Sequence, residues 1–190
     1  GSRMREVRKI FPVMMEAARH LLHLNPTLRF QVAAASEELA LEMNEQLADR
    51  HAIEINVGQA AVVMQHAFVG IVASGSATLE AAYFGMPFVL IYKVAWPTYV
   101  AARLVVNVDF LGMPNLLAAK EIVPEFIQHE AKPDAIAKAV RLLMEDSPAR
   151  DRMVSDFEAI IGKLGGAGAS ERAAQAILEE LRTSALSKTR

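Results

Sequence analysis

Residues 68–92 constrain the fold more than any other stretch of the chain. An apolar run at 68–73 leads into the small-residue turn Ser74-Gly75-Ser76, then a helical pattern over 76–84, then a second apolar run at 87–92. Near-continuous apolar strands joined by one short helix describe a parallel βαβ unit, because strands with one wet face would alternate instead. Gly85-Met86-Pro87 punctuates the unit, and Gly85 suits a helix C-cap.

The flanking segments continue the alternation. Val7, Ile10, Phe11, Met14, Met15, Ala18, Leu21 and Leu22 follow the 3.6-residue period, so a long amphipathic helix is expected over residues 4–24, with Pro26 at its exit. A strand at 28–34 comes next, then a helix capped by Ser36 that carries Leu39, Met43 and Leu47 on one face. A short strand at 53–57 and a short helix at 59–66 complete this part. Beyond them the pattern is helical over 97–106, 133–145, 147–164 and 170–183. Residues 109–128, with Pro114 and Pro124, read as irregular. Gly165-Gly166-Ala167-Gly168 reads as a hinge, and residues 184–190 as a polar, frayed tail. The expected class is α/β: a Rossmann-like parallel sheet with helices on both faces and a helical C-terminal tail. The division expected is one Rossmann-like domain over residues 1–164, then the hinge and last helix over 165–190.

Composition removes several functions. The 190 residues are 53% hydrophobic and 22% charged, which supports one packed domain rather than a disordered chain. A formal net charge of −2 gives no electrostatic case for nucleic acid. With no cysteine, disulfides and thiolate metal sites are excluded. No apolar run reaches membrane-spanning length, and the start shows no secretory pattern. Position 1 is Gly rather than Met, so the chain reads as processed, tagged or a piece of a longer protein.

Right-handed crossovers place the loops that follow parallel strands along one sheet edge, where ligands collect. Two segments fall there. At Ser74 to Thr78, backbone N–H groups at the start of a helix suit an anion such as a diphosphate. Glu80, about one helical turn further, can accept hydrogen bonds from two sugar hydroxyls. Together they outline a nucleotide-sugar site, although an ordinary strand-to-helix connection would look the same, and no G-x-G-x-x-G is present. The other segment is Gly1-Ser2-Arg3, where Ser2 can cap the first helix and Arg3 can fork a phosphate. The competing reading is a cloning remnant followed by a solvated arginine.

Three further groups carry weaker signals. Asn115 in Pro114-Asn115-Leu116-Leu117, with Lys120, Glu121 and Gln128 beyond it, can position a polar ligand, or Asn115 can simply stabilise its own turn. His20 and His23 with Glu16 lack the further ligands a metal site needs, so they read as surface residues. Trp96-Pro97-Thr98-Tyr99 can touch an acyl chain or begin a helix with no function. No Ser-His-Asp arrangement is legible.

In this order the segments resemble the C-terminal half of lipid-A-disaccharide synthases, bacterial inverting glycosyltransferases of the two-Rossmann-domain GT-B type. The family pattern runs Gly-Ser-Arg before a long helix, then Ser-Gly-Thr-Ala-Thr-Leu-Glu-Ala, Gly-x-Pro, a Tyr-Lys/Arg strand end, Pro-Asn-Leu-Leu-Ala-Gly-Arg-Glu and Leu-Leu-Gln. Here stand Gly1-Ser2-Arg3, Ser74-Gly75-Ser76-Ala77-Thr78-Leu79-Glu80-Ala81, Gly85-Met86-Pro87 and Tyr92-Lys93. They are followed by Pro114-Asn115-Leu116-Leu117-Ala118-Ala119-Lys120-Glu121 and Phe126-Ile127-Gln128. The match spans nearly the whole chain, and the Pro-Asn-Leu-Leu block is its most specific part. It also places Gly1-Ser2-Arg3 where the family's phosphate turn belongs. Ser76 for Thr keeps a hydroxyl, whereas Ala119-Lys120 for Gly-Arg keeps charge and loses the planar fork.

The resemblance implies that Gly1, Ser2, Arg3, Ser74, Gly75, Ser76, Ala77, Thr78, Glu80, Asn115, Lys120, Glu121 and Gln128 bind the donor, UDP-2,3-diacylglucosamine. Transfer to 2,3-diacylglucosamine 1-phosphate would give the lipid A disaccharide 1-phosphate and UDP, with no metal or other cofactor. The catalytic base is expected in the other half of the protein, so this half alone is expected to transfer no sugar. The resemblance further implies a cytoplasmic enzyme in peripheral contact with the inner membrane, and a homodimer formed through C-terminal elements. Other readings are a related UDP-sugar transferase or epimerase, or a non-catalytic module that keeps the fold. In such a sheet the first strand is central and would precede Gly1. Without it two strands lack a neighbour, so the chain is expected to be poorly stable or to associate through the open edge.

Overall fold

The computed structural model describes residues 2–47, 52–94, 109–145, 147–165 and 168–187. Gly1, the Trp96 to Tyr99 cluster and the helix expected over 97–106 lie outside the described residues. The chain divides into two compact units, residues 1–160 and 161–190.

The first unit opens with α1 (Met4–Leu24), whose buried face is Val7, Ile10, Phe11, Ala17, Ala18 and Leu21. Pro12 stands inside the helix on its exposed side, where the missing N–H leaves a solvent-facing carbonyl free to hydrate. Strand β1 (Phe30–Ala34) is followed by α2 (Glu37–Gln46), which Ser36 caps by accepting a hydrogen bond from the Leu39 N–H. Strand β2 (Ile53–Val57), α3 (Ala60–His66), β3 (Gly70–Ala73), α4 (Ala77–Tyr83) and β4 (Phe88–Tyr92) continue the alternation.

Residues 109–128 are more ordered than expected. They hold α5 (Met113–Ala118) and β5 (Glu125–Ile127), which leads into a 3₁₀ turn at Gln128–Glu130. Neither proline breaks anything: Pro114 lies in the first turn of α5, where an N–H would have no partner, and Pro124 stands just before β5. Next come α6 (Pro133–Met144) and α7 (Pro148–Lys163), and the second unit carries α8 (Ala169–Ser187). Helix α8 runs to Ser187, so the tail expected from residue 184 is helical throughout its described length.

Every strand pairing among the described residues is parallel, and helices flank the strands, as the α/β class requires. Among the described residues the sheet is in two pieces, however. Strand β1 pairs with β2 in register Val32 to Ile55, while β3, β4 and β5 pair in that order, with Val72 beside Leu90 and Leu90 beside Glu125. Strand β4 is the best-buried element: Phe88, Val89, Leu90 and Ile91 are all 0% exposed.

The larger core gathers β3 and β4 with Ile10, Ala17 and Leu21 of α1, Ile136, Ala137 and Val140 of α6, and Met153, Phe157 and Ile160 of α7. A smaller core joins Val7 and Phe11 of α1 to Ala34, Leu39, Ala40 and Met43. Helix α1 therefore belongs to both. On its outer side the Arg8 Nε and Nη2 both donate to Glu42 Oε2, at 2.9 and 2.8 Å. Arg8, and then Gln46, hold the Glu42 carboxyl below its ordinary pKa. The pair therefore favours the fold at neutral pH and loses that effect as acid protonates Glu42. Its contribution is small, since the arginine is largely exposed.

Candidate functional site

Because the strands are parallel, the segments after β3, β4 and β5 emerge on one edge: Ser74 to Ser76, Lys93 and Val94, and Gln128. Helix α1 runs antiparallel to the strand that follows it, so its N-terminus with Ser2 and Arg3 points to the same edge. By that topology both expected corners belong to the edge where the parallel strands end. They are not bonded to each other: Ser2 is exposed, and Arg3, the N-cap of α1, rests its guanidinium on Glu6 at 3.3 Å.

The turn after β3 is built from backbone. Gly75 has φ +149°, a region that disfavours side chains, and open space lies where a Cβ would stand. Thr78 is fully buried and its hydroxyl donates to the Gly75 carbonyl at 2.7 Å, so it closes the turn rather than facing a ligand. Ser74 Oγ donates to the Leu111 carbonyl at 3.5 Å, tying the turn to the approach of α5. Ser76 is exposed and its hydroxyl makes no cap bond, Ala77 is half-buried, and Glu80 is exposed one turn on. The first bonds of the turn are those of the Thr78, Leu79 and Glu80 N–H groups to Gly75 and Ser76 carbonyls. The N–H groups of Gly75, Ser76 and Ala77 therefore precede the ladder, as donors at a helix start do.

Asn115 takes the structural of its two expected parts, with no amide group left over for the donor contact that the resemblance implies. It is fully buried, and its amide is saturated inside the protein. Oδ1 accepts from the Ile122 and Val123 N–H groups at 2.8 Å each, while Nδ2 donates to the Val123 carbonyl and to Glu125 Oε1, also at 2.8 Å each. Glu125, which sequence reasoning passed over, completes the knot by accepting from the Leu111 and Gly112 N–H groups at 2.9 and 2.8 Å. Gly112 allows the close approach: a Cβ would stand 2.8 Å from Leu90 Cδ1 and 3.1 Å from Glu125 Oε1, so those side-chain ends would have to shift. The available signal was a carboxylate inside the apolar run from Ile122 to Ile127, since a charge in such a setting needs several donors.

Gln128 is similarly occupied. At φ +51° and 6% exposure, its side chain spans both backbone groups of Val94, accepting from the N–H at 3.1 Å and donating to the carbonyl at 3.4 Å. Lys120 pairs with Asp156 on α7 at 2.7 Å, and Glu121 is exposed. His20 Nε2 lies 3.2 Å from Asp134 and 3.8 Å from Glu16, linking α1 to α6, whereas His23 is exposed.

Among these residues, Ser74 to Ala77 and Glu80 supply an open face, while Thr78, Asn115, Glu125 and Gln128 hold that face in shape. The lipid-A-disaccharide synthetase family model matches residues 1–179. The chain belongs to the lipid-A-disaccharide synthase family. It is 37% identical over 182 residues to a lipid-A-disaccharide synthase of Myxococcus xanthus, covering 95% of this chain and 48% of that protein. Similar figures hold for the enzymes of Persephonella marina, at 34% over 94% of this chain and 48% of the relative, and Geobacter sulfurreducens, at 36%, 95% and 47%. The chain thus spans just under half the length of the curated synthases it matches.

The resemblance flagged Ala119 as a departure from a family glycine, and the backbone gives that departure a cost. Ala119 ends α5 in the left-handed conformation, φ 53° and ψ 30°. An L-residue there costs about 1–2 kcal/mol, offset in part by the greater freedom of glycine in the unfolded chain. Ala119→Gly is therefore expected to stabilise the protein by about 0.5–1 kcal/mol, read as a higher urea midpoint. A lower midpoint would mean that the methyl group packs usefully.

Proposed function

We propose that this chain is the nucleotide-sugar-binding half of a lipid-A-disaccharide synthase, gripping the uridine diphosphate of UDP-2,3-diacylglucosamine at the carboxyl edge of its sheet. The observation that carries the reading is the open Ser74-Gly75-Ser76 turn, whose leading N–H groups precede the helix ladder and where a Cβ on Gly75 would meet open space. Glu80 accepts the ribose hydroxyls. Arg3 leaves Glu6 to meet the diphosphate, a modest rearrangement for an ion pair whose arginine side chain is 81% exposed. Lys120 reaches the same charge only by giving up Asp156.

In the whole protein the reaction is transfer of 2,3-diacylglucosamine to 2,3-diacylglucosamine 1-phosphate, forming lipid A disaccharide 1-phosphate and UDP. A base in the other half deprotonates the acceptor hydroxyl. The turn amides and Arg3 stabilise charge building on the departing diphosphate, and no step uses a metal. No helix among the described residues is long and apolar enough to cross a membrane. Peripheral contact with the cytoplasmic face of the inner membrane and dimerisation belong to the same proposal. The exposed Met113, Leu116 and Leu117 on α5 and Ile177, Leu178 and Leu181 on α8 support it as apolar surfaces.

The test is calorimetric titration of UDP and of inorganic diphosphate into the wild type and Glu80→Gln. Loss of a charged acceptor for the ribose is expected to weaken UDP by about tenfold, with diphosphate affinity unchanged. An unaltered UDP dissociation constant, or equal losses for both ligands, removes the ribose role.

A further inference from the structure

Strand β4 lies between β3 and β5, and the residue that follows its last position is a lysine. Lys93 is half-buried, and among the described residues its ammonium has neither an ion pair nor a hydrogen bond. A cation drawn partly out of water without a partner is unfavourable, so a group placed like this calls for an anion.

Backbone alternation shows which way Lys93 turns. The Leu90 N–H bonds to the Pro124 carbonyl, so the even-numbered residues of β4 direct their backbone groups toward β5. The odd-numbered residues face β3, where the Ile91 carbonyl accepts from the Ser74 N–H at 3.0 Å. That bond is the last rung. The next would join the Lys93 N–H to the Ser74 carbonyl and the Ser76 N–H to the Lys93 carbonyl, and neither forms among the described residues. The two chains part here, with Gly75 at φ +149° the first residue off the ladder. They leave a notch between the end of β4 and the Ser74-Gly75-Ser76 turn. The Lys93 N–H opens on it. Adjacent strands lie about 4.8 Å apart, so the ammonium on its flexible four-carbon stem reaches the same space.

The other side of this strand end is fixed. The Gln128 side chain grips both backbone groups of Val94, at 3.1 and 3.4 Å, from a residue held at φ +51°. The direction of Val94 toward β5 is thereby kept beyond the last residue of the strand, and Lys93 stays turned to the notch. Left-handed backbone at a residue other than glycine persists only where its surroundings impose it.

The two cations already assigned to the diphosphate are occupied. Arg3 rests on Glu6 and Lys120 on Asp156, and each must break an ion pair to reach a ligand. Lys93 breaks nothing. It stands at the end of the strand whose residues 88 to 91 are all 0% exposed, so its position is set before the ligand arrives.

We propose that Lys93 holds the diphosphate of the sugar donor, with its ammonium and its backbone N–H both donating to phosphate oxygens in the notch beside Gly75. The assignment rests on the nucleotide-sugar reading above, and adds to it the residue that supplies charge without rearrangement. A compact ammonium suits this task, since a diphosphate offers oxygens in several directions rather than one planar pair.

The experiment titrates UDP and inorganic diphosphate into the full-length protein, comparing wild type, Lys93→Met, Lys93→Arg and Glu80→Gln by calorimetry. Lys93→Met is expected to weaken UDP and diphosphate alike, by about 30-fold, whereas Glu80→Gln weakens UDP alone. Lys93→Arg restores the charge and is expected to bind both ligands within about threefold of wild type. Without ligand, the urea midpoint of Lys93→Met is expected to equal or exceed that of wild type, because an unpaired, half-buried cation has been removed. Unchanged affinities in Lys93→Met overturn the assignment, and if Glu80→Gln still loses UDP they leave the nucleotide reading standing. Equal losses in the methionine and arginine variants, or a lower urea midpoint in Lys93→Met, overturn it as well, since Lys93 would then serve the fold. A wild type that binds neither ligand removes both readings.

Discussion

Asn115→Ala is expected to cost about 3–5 kcal/mol of unfolding free energy, because it strands several buried polar groups at once. The Ile122 and Val123 N–H groups lose their acceptor, and the Val123 carbonyl and Glu125 lose a donor. Asn115→Asp separates packing from polarity. It keeps the acceptor and nearly the same shape, but sets a carboxylate oxygen against Glu125 Oε1, where 2.8 Å now separates donor from acceptor. Two carboxylates that close share a proton, so the Asp variant should be most destabilised at neutral pH and recover toward pH 5. Urea unfolding at both pH values measures this. A loss under 1 kcal/mol for the alanine variant would show that water replaces the amide and that the knot is not structural.

Phe157→Ala should have an effect of similar size by a different route. Phe157 on α7 is fully buried and stacks on Phe88 of β4, with ring centroids 5.6 Å apart and planes 22° from parallel. Removing a core phenyl ring typically costs about 3–5 kcal/mol, through lost transfer energy plus the cavity left behind. Phe157→Leu should retain most of that. Because Phe88 belongs to the best-buried strand, the alanine variant should lower the cooperative transition as a whole. A variant that unfolds α7 alone, at an unchanged main midpoint in urea, would show that α7 is an appendage rather than part of the larger core.

Periodicity made long elements legible in the sequence. Helix α1 spans the 4–24 that its apolar spacing predicts, and β2 spans 53–57, because each buries one face that selects the residues on it. Helix α2 begins where Ser36 predicts, since a cap is a local device. Residues 109–128 were harder. Helix α5 and β5 are too short to show a period, and their prolines look like breakers until one sees that both occupy harmless positions. The site divided in the same way. The turn at Ser74 to Ser76 is a local strand-to-helix signature and was readable, but the inward direction of Thr78, Asn115 and Gln128 is set by distant partners. Residue type told that Asn115 would bond; only the fold told that all of its bonds are internal.

The double allegiance of α1 has a consequence for how the protein is made on the ribosome. Ile10, Ala17 and Leu21 are translated before everything they pack on, and Ile136, Ala137 and Val140 of α6, which join the same core, emerge more than one hundred residues after them. At cellular elongation speeds that interval lasts roughly five to twenty seconds. Throughout it the part of the stripe that α6 will cover stays open even after the nearer strands have emerged, which makes this segment a natural client for chaperones that attend emerging chains.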